Sequence, residues 1–182
     1  RKPVLFATLG FALLTVTAYA LCQVFSSRGA YLHIGALIGT MMAANVFFVI
    51  IPNQKVMVEQ MSSGKNPDPA LGRAGALRSL HNNYFTLPVL FIMVSHHYPM
   101  TFGHSQPWAV LAALALIGAG VRHWFNLRGK GHHNVWILPV ACVAMIALAL
   151  VTVPRGGETP GEGVVKYEGT VAFSQVQEVV QK

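Results

Sequence analysis

The sequence predicts an all-α integral membrane protein with about five transmembrane helices and a short periplasmic tail. Three observations predict it. Of 182 residues, 53% are hydrophobic and only 10% are charged. A soluble domain averages about 25% charged residues, so this chain has too little charge to cover a water-facing surface. The chain also holds five long apolar stretches, none with an Asp or Glu. Its Lys and Arg residues gather between those stretches, mostly on one side.

A bilayer core about 30 Å thick needs about 20 helical residues. The first span covers residues 3–25. The second covers 31–51 and is expected to stop at Pro52, since proline lacks the N–H that continues a helix. Residues 53–78 are rich in Gly, Pro and charge and are expected to form a loop holding at most one short helix. The third span, 79–98, is the least regular: only 84–94 is purely apolar, and Pro88 inside it predicts a kink. The fourth covers 107–126. The fifth covers 134–153, with a kink predicted at Pro139 and a stop at Pro154. Residues 1–153 thus form the transmembrane domain.

Nine of the thirteen basic residues fall on one side of these spans: Arg1, Lys2, Lys55, Lys65, Arg73, Arg78, Arg122, Arg128 and Lys130. Arg28, Arg155, Lys166 and Lys182 fall on the other. The positive-inside rule makes the first side cytoplasmic. Five spans with the N-terminus inside then put the C-terminal tail outside. The pI of 9.8 follows from this orientation and implies no nucleic-acid partner. Residues 154–170, with their Pro and Gly, read as a linker. Within 171–182 the apolar residues recur at helical spacing. A chain that opens with Arg1 and ends on the start of a helix is expected to be a piece of a longer polypeptide.

Several chemistries are absent from the sequence. It has no P-loop, no dinucleotide fingerprint, no CxxC pair, no H-E-x-x-H and no CxxCH for covalent haem attachment. Cys22 and Cys142 lie in apolar stretches and read as small hydrophobes.

The eight histidines carry the functional signal, because they cluster at the span ends. Ionisable groups near membrane depth are costly and mark function. Without carboxylates, acidic proton relays lose their parts, while imidazole can still bind haem iron or a substrate. His33, His96, His97 and His104 lie toward the outer face, and His81, His123, His132 and His133 toward the inner face. The two layers stand about 22–24 Å apart along the third helix, at about 1.5 Å per residue. A bis-histidine haem needs imidazoles at equal depth; His33 with His97 meets that condition outside, and His81 with His123 inside. The alternative for each is anchoring of a helix end among headgroups. His104, His132 and His133, in loops, favour that alternative.

The run Ser79-Leu80-His81-Asn82-Asn83-Tyr84 concentrates an imidazole, two amides and a phenol at a span entrance. Amides pair donor and acceptor, which suits a purine-like ring edge or a carbonyl-rich substrate; a helix cap explains one of these residues but not all. Arg122, beside His123, either snorkels to the interface or holds an anion. Gly35 and Gly39 form a GxxxG for close packing, and Asn45 reads as an interhelical hydrogen bond.

Three segments carry a resemblance: YLHIGALIGTMMAANVFFVIIP (residues 31–52), SLHNNYFTLPVLFIMVSHHYPMTFGH (79–104) and VRHWFN (121–126). They resemble the bacterial membrane-bound urate hydroxylase family and cover most of residues 20–130. The resemblance implies a membrane domain that oxidises urate to 5-hydroxyisourate, followed by a cytochrome c domain that takes the electrons without making hydrogen peroxide. It implies that this chain is the C-terminal half of that domain, with FSQVQEVVQK (173–182) opening the cytochrome segment, where haem c would attach. His33, His81, Asn82, Asn83, Tyr84, His97 and His123 match the family's pattern; His96, His132 and His133 depart from it.

The resulting expectation is a urate-oxidising membrane oxidoreductase. His81 or His123 is the catalytic base, and Asn82, Asn83, Tyr84 and Arg122 hold the anion. A haem b held by His33 and His97 is expected to pass electrons outward to cytochrome c or the respiratory chain. The alternatives are a haem-binding electron-transfer subunit without substrate chemistry, and a non-redox transporter.

Overall fold

The computed structural model describes residues 3–132 and 134–153, and every structural statement below concerns them. The expected linker, the tail helix and His133 lie outside the described residues. No strand occurs among those described. Helix α1 spans Pro3–Val24 and α2 spans Ser27–Asn45. A π-helical turn, Val46–Ile50, joins α2 to α3, Ile51–Ser62. Helix α4 spans Pro69–Val94, followed by a 3-10 turn at Ser95–His97 and the short α5, Pro99–Phe102. Helices α6, Pro107–Gly129, and α7, Ile137–Thr152, complete the order.

Local chemistry sets the boundaries. Ser26 caps α2 by accepting from the Gly29 N–H at 3.3 Å. Asp68 caps α4 by accepting from the Ala70 N–H at 2.8 Å, with Pro69 preset at the first helical position. Gly64 takes a φ of 70° in the turn after α3, where a side chain would be strained.

Two prolines behave differently from the sequence expectation. The second span does not stop at Pro52, and residues 53–78 are not a loop: helix continues to Ser62, and α4 begins at Pro69. The π-helical turn is the reason. The Ile51 N–H reaches back five residues to the Val46 carbonyl, and this widening leaves room for the Pro52 ring against the preceding turn. Pro139 is not a kink either. It is the third residue of α7, where no intrahelical acceptor awaits its missing N–H. Pro88, by contrast, lies buried inside an α4 that runs unbroken past it.

Three helices are long and apolar enough to cross a membrane, fewer than the five expected: Val4–Val24, the continuous Ser27–Ser62 and Pro107–Gly129. Helix α7 is apolar but has only 16 residues. Helix α4 has 26, but Arg73, Arg78, His81, Asn82 and Asn83 break up its apolar character.

Helices α1, α2, α4 and α6 form a bundle in which α1 and α4 each pack on both α2 and α6. Helix α7 packs on α6, and α3 folds back on the start of α4. There the Asn53 Nδ2 donates to the Leu71 carbonyl at 3.4 Å, and the Asp68 N–H donates to the Gln60 side chain at 2.9 Å. The core gathers Ala18, Tyr31, Ile34, Ile38, Ile92 and Leu111. Gly35 makes room for Ile92 of α4, since a Cβ there would lie 2.8 Å from Ile92 Cγ2. Gly39 has nothing within 4 Å, so only the first glycine of the GxxxG serves close packing. Gly118 lets α6 approach α4 at Leu87 and Pro88. The outward residues of α1 and α7, among them Phe6, Leu13, Val143 and Leu150, are apolar and exposed, as a lipid surround requires.

Candidate functional site

Consecutive residues on a helix turn by about 100°, so a polar run cannot point one way. Residues 81–84 of α4 fan out to three neighbouring helices. His81 stacks on Phe6 of α1, ring centroids 5.5 Å apart. Asn82 faces α2: its Oδ1 accepts from Asn45 Nδ2 at 2.8 Å, and its Nδ2 donates to the Met42 carbonyl at 2.9 Å. Asn83 faces α6, where its Oδ1 accepts from Arg122 Nε. Tyr84 also faces α6, with its hydroxyl 2.7 Å from His123 Nδ1 and the two rings stacked at 6.0 Å.

The fan divides the expected site. Asn82 uses both ends of its amide to clasp α2, as expected for its partner Asn45, and acts as a joint between helices. Asn83–Arg122 and Tyr84–His123 lie side by side on the α4–α6 seam. Arg122 binds Asn83 through Nε alone in this arrangement, so its two terminal nitrogens remain donors for an anion. His123 is exposed, while Arg122, Asn83 and Tyr84 are half-buried. His81 lies one turn from Tyr84 toward the start of α4, on a neighbouring face. We call this end of the bundle the polar end.

The family matched by residues 1–153 is described as urate oxidase N-terminal. The chain belongs to the urate oxidase N-terminal family. No curated protein and no solved structure matches the chain. The family match covers every described helix, so both pairs on the α4–α6 seam lie within it.

The other end of the bundle holds His33 and His97, the expected haem ligands. His33 Nδ1 donates to the Gly29 carbonyl at 2.8 Å, and its ring stacks on Phe25 at 4.5 Å. His33 precedes Gly35 by two residues, which places it roughly 200° round α2 from the face that meets α4. His97 sits exposed in the 3-10 turn that follows α4. His33 therefore turns away from the face of α2 that meets α4, and no hydrogen bond or ring contact joins it to His97 among the described residues. His104 is bound locally, accepting from the Gln106 N–H at 3.1 Å. No group of three or more His, Cys, Asp or Glu able to hold a metal occurs among the described residues.

Sequence reasoning missed Asn126. It closes the VRHWFN segment, four residues after Arg122. That i, i+4 spacing on one helix was the available signal.

Proposed function

We propose that this chain is the urate-handling part of a bacterial membrane oxidoreductase that hydroxylates urate to 5-hydroxyisourate and delivers electrons to a cytochrome c. The observation that carries the reading is the pairing of Arg122 with Asn83 beside Tyr84 with His123, on a chain of the urate oxidase N-terminal family. In this reading α4 and α7 join the three long apolar helices to make five spans. The polar end then faces the cytoplasm, and the tail lies in the periplasm.

The reaction balances as urate plus water giving 5-hydroxyisourate, two protons and two electrons. The terminal nitrogens of Arg122 hold the flat urate anion, and Asn83 fixes the guanidinium. Tyr84 and His123 act as a proton relay: the phenol oxygen accepts a proton from the substrate side while its own hydrogen passes to His123 Nδ1. His81, one turn away, is the base for the second proton. The electrons pass to cytochrome c.

The test is spectroscopic. Urate is added without oxygen to membranes carrying the full-length protein, and the reduced bands of cytochrome c are recorded. Urate-dependent reduction with 5-hydroxyisourate as product is the expected result. Absence of reduction while dithionite still reduces the cytochrome overturns the reading.

A further inference from the structure

One buried polar group on α6 has no hydrogen-bond partner among the described residues. Asn126 Nδ2 is sealed from the surroundings and has no acceptor among the described residues. Buried donors of this kind are few in native proteins, because each keeps the desolvation cost of a hydrogen bond it does not make.

The position of Asn126 gives the orphan a meaning. It follows Arg122 by four residues and His123 by three, so it lies one turn beyond them, in the angle between the two. Helices α4 and α6 run antiparallel, since Gly118 meets Pro88 while Arg122 meets Asn83. One turn beyond His123 on α6 is therefore the same direction as one turn beyond Tyr84 on α4, where His81 stands. The Tyr84–His123 pair thus has Arg122 beside it and His81 and Asn126 beyond it, toward the polar end.

We infer that Asn126 is a further substrate-binding residue of this site: its half-buried side chain turns its amide out of the sealed position, and the N–H donates to a carbonyl oxygen of the flat anion that Arg122 holds. The inference rests on the urate reading above. An N–H donor needs an acceptor, and urate offers only carbonyl oxygens and ring nitrogens at its edge. Side chains at i and i+4 stand about 5–6 Å apart, a spacing that a fused two-ring heterocycle bridges. Arg122 takes the anionic edge, and Asn126 sets the rotation of the ring in its plane.

The experiment uses the full-length protein in membranes with urate as the probe. Asn126→Leu keeps the approximate shape and removes both polar atoms. The expected result is a KM for urate raised about tenfold, the loss of one hydrogen bond to a charged ligand, with kcat changed less than twofold. Thermal stability without urate stays level or rises, because the orphaned donor is gone. A KM within twofold of the parent value overturns the inference and leaves the urate reading standing; this is the outcome if a buried water satisfies the amide. A raised KM together with a lowered Tm marks a packing role and also overturns it. If Asn126→Leu does not reach the membrane, Asn126→Ser carries the same expectation for KM. Absence of urate-dependent reduction in the parent protein brings down both proposals together.

Discussion

Tyr31 and Tyr84 occupy opposite ends of the same bundle and do opposite things with the same phenol. Tyr31 is fully buried, and its hydroxyl bridges the carbonyls of Thr101 at 3.0 Å and Pro107 at 2.8 Å. Both acceptors are backbone, Thr101 in α5 and Pro107 at the start of α6, and neither can gain or lose a proton. Tyr84 is half-buried, and its hydroxyl meets an exposed imidazole. Backbone acceptors make a tyrosine a rivet; in the proposed function an exposed, titratable partner makes Tyr84 a proton carrier. The partner decides the role.

The largest expected effect breaks the Tyr84 side of the comparison. Replacing His123 by Ala removes the proton acceptor, and kcat/KM for urate is expected to fall about 10²–10⁴-fold, with the protein still accumulating in membranes. Turnover within threefold of the parent would remove His123 from the chemistry.

Tyr31→Phe gives the mirror result. It strands two buried carbonyls, so stability is expected to drop by about 1–3 kcal/mol, read as a lower thermal midpoint, while KM for urate is unchanged. A shifted KM with unchanged stability would mean that the two tyrosines differ less than their partners imply.

The smallest effect sharpens the packing between the two ends. Gly35→Ala pushes a Cβ to 2.8 Å from Ile92 Cγ2 and is expected to cost about 1–3 kcal/mol as overpacking. Gly39→Ala meets nothing within 4 Å, so it is expected to be neutral or to stabilise by up to about 1 kcal/mol through better helix propensity. Equal effects at the two glycines in a membrane unfolding assay would contradict the position of the α2–α4 contact.

Much of the site was legible because it sits in unbroken runs. His81, Asn82, Asn83 and Tyr84 stand together in the sequence, as do Arg122 and His123, and polar residues at a span entrance are conspicuous against apolar neighbours. The direction of each side chain was not legible. Asn82 and Asn83 are adjacent and chemically identical, yet one clasps α2 and the other reaches α6. The haem pair turns on the same quantity. Equal depth along two helices is read from residue counts, but whether two imidazoles face each other depends on helix rotation. Asn126 escaped notice because an orphaned donor is defined by what surrounds it.

Composition and apolar run length determined, without any contact, that the chain is helical and largely suited to lipid, because burying backbone hydrogen bonds within a segment is a local requirement. Family membership came from contiguous motifs in the same way. Only the packed structure decided that the helix passes Pro52, that Gly35 and not Gly39 meets a neighbour, and that Arg122 and His123 find partners on α4. Those outcomes depend on how helices are turned and spaced against one another. A small rotation moves a side chain from one neighbour to the next, and residue order alone carries too little information to set it.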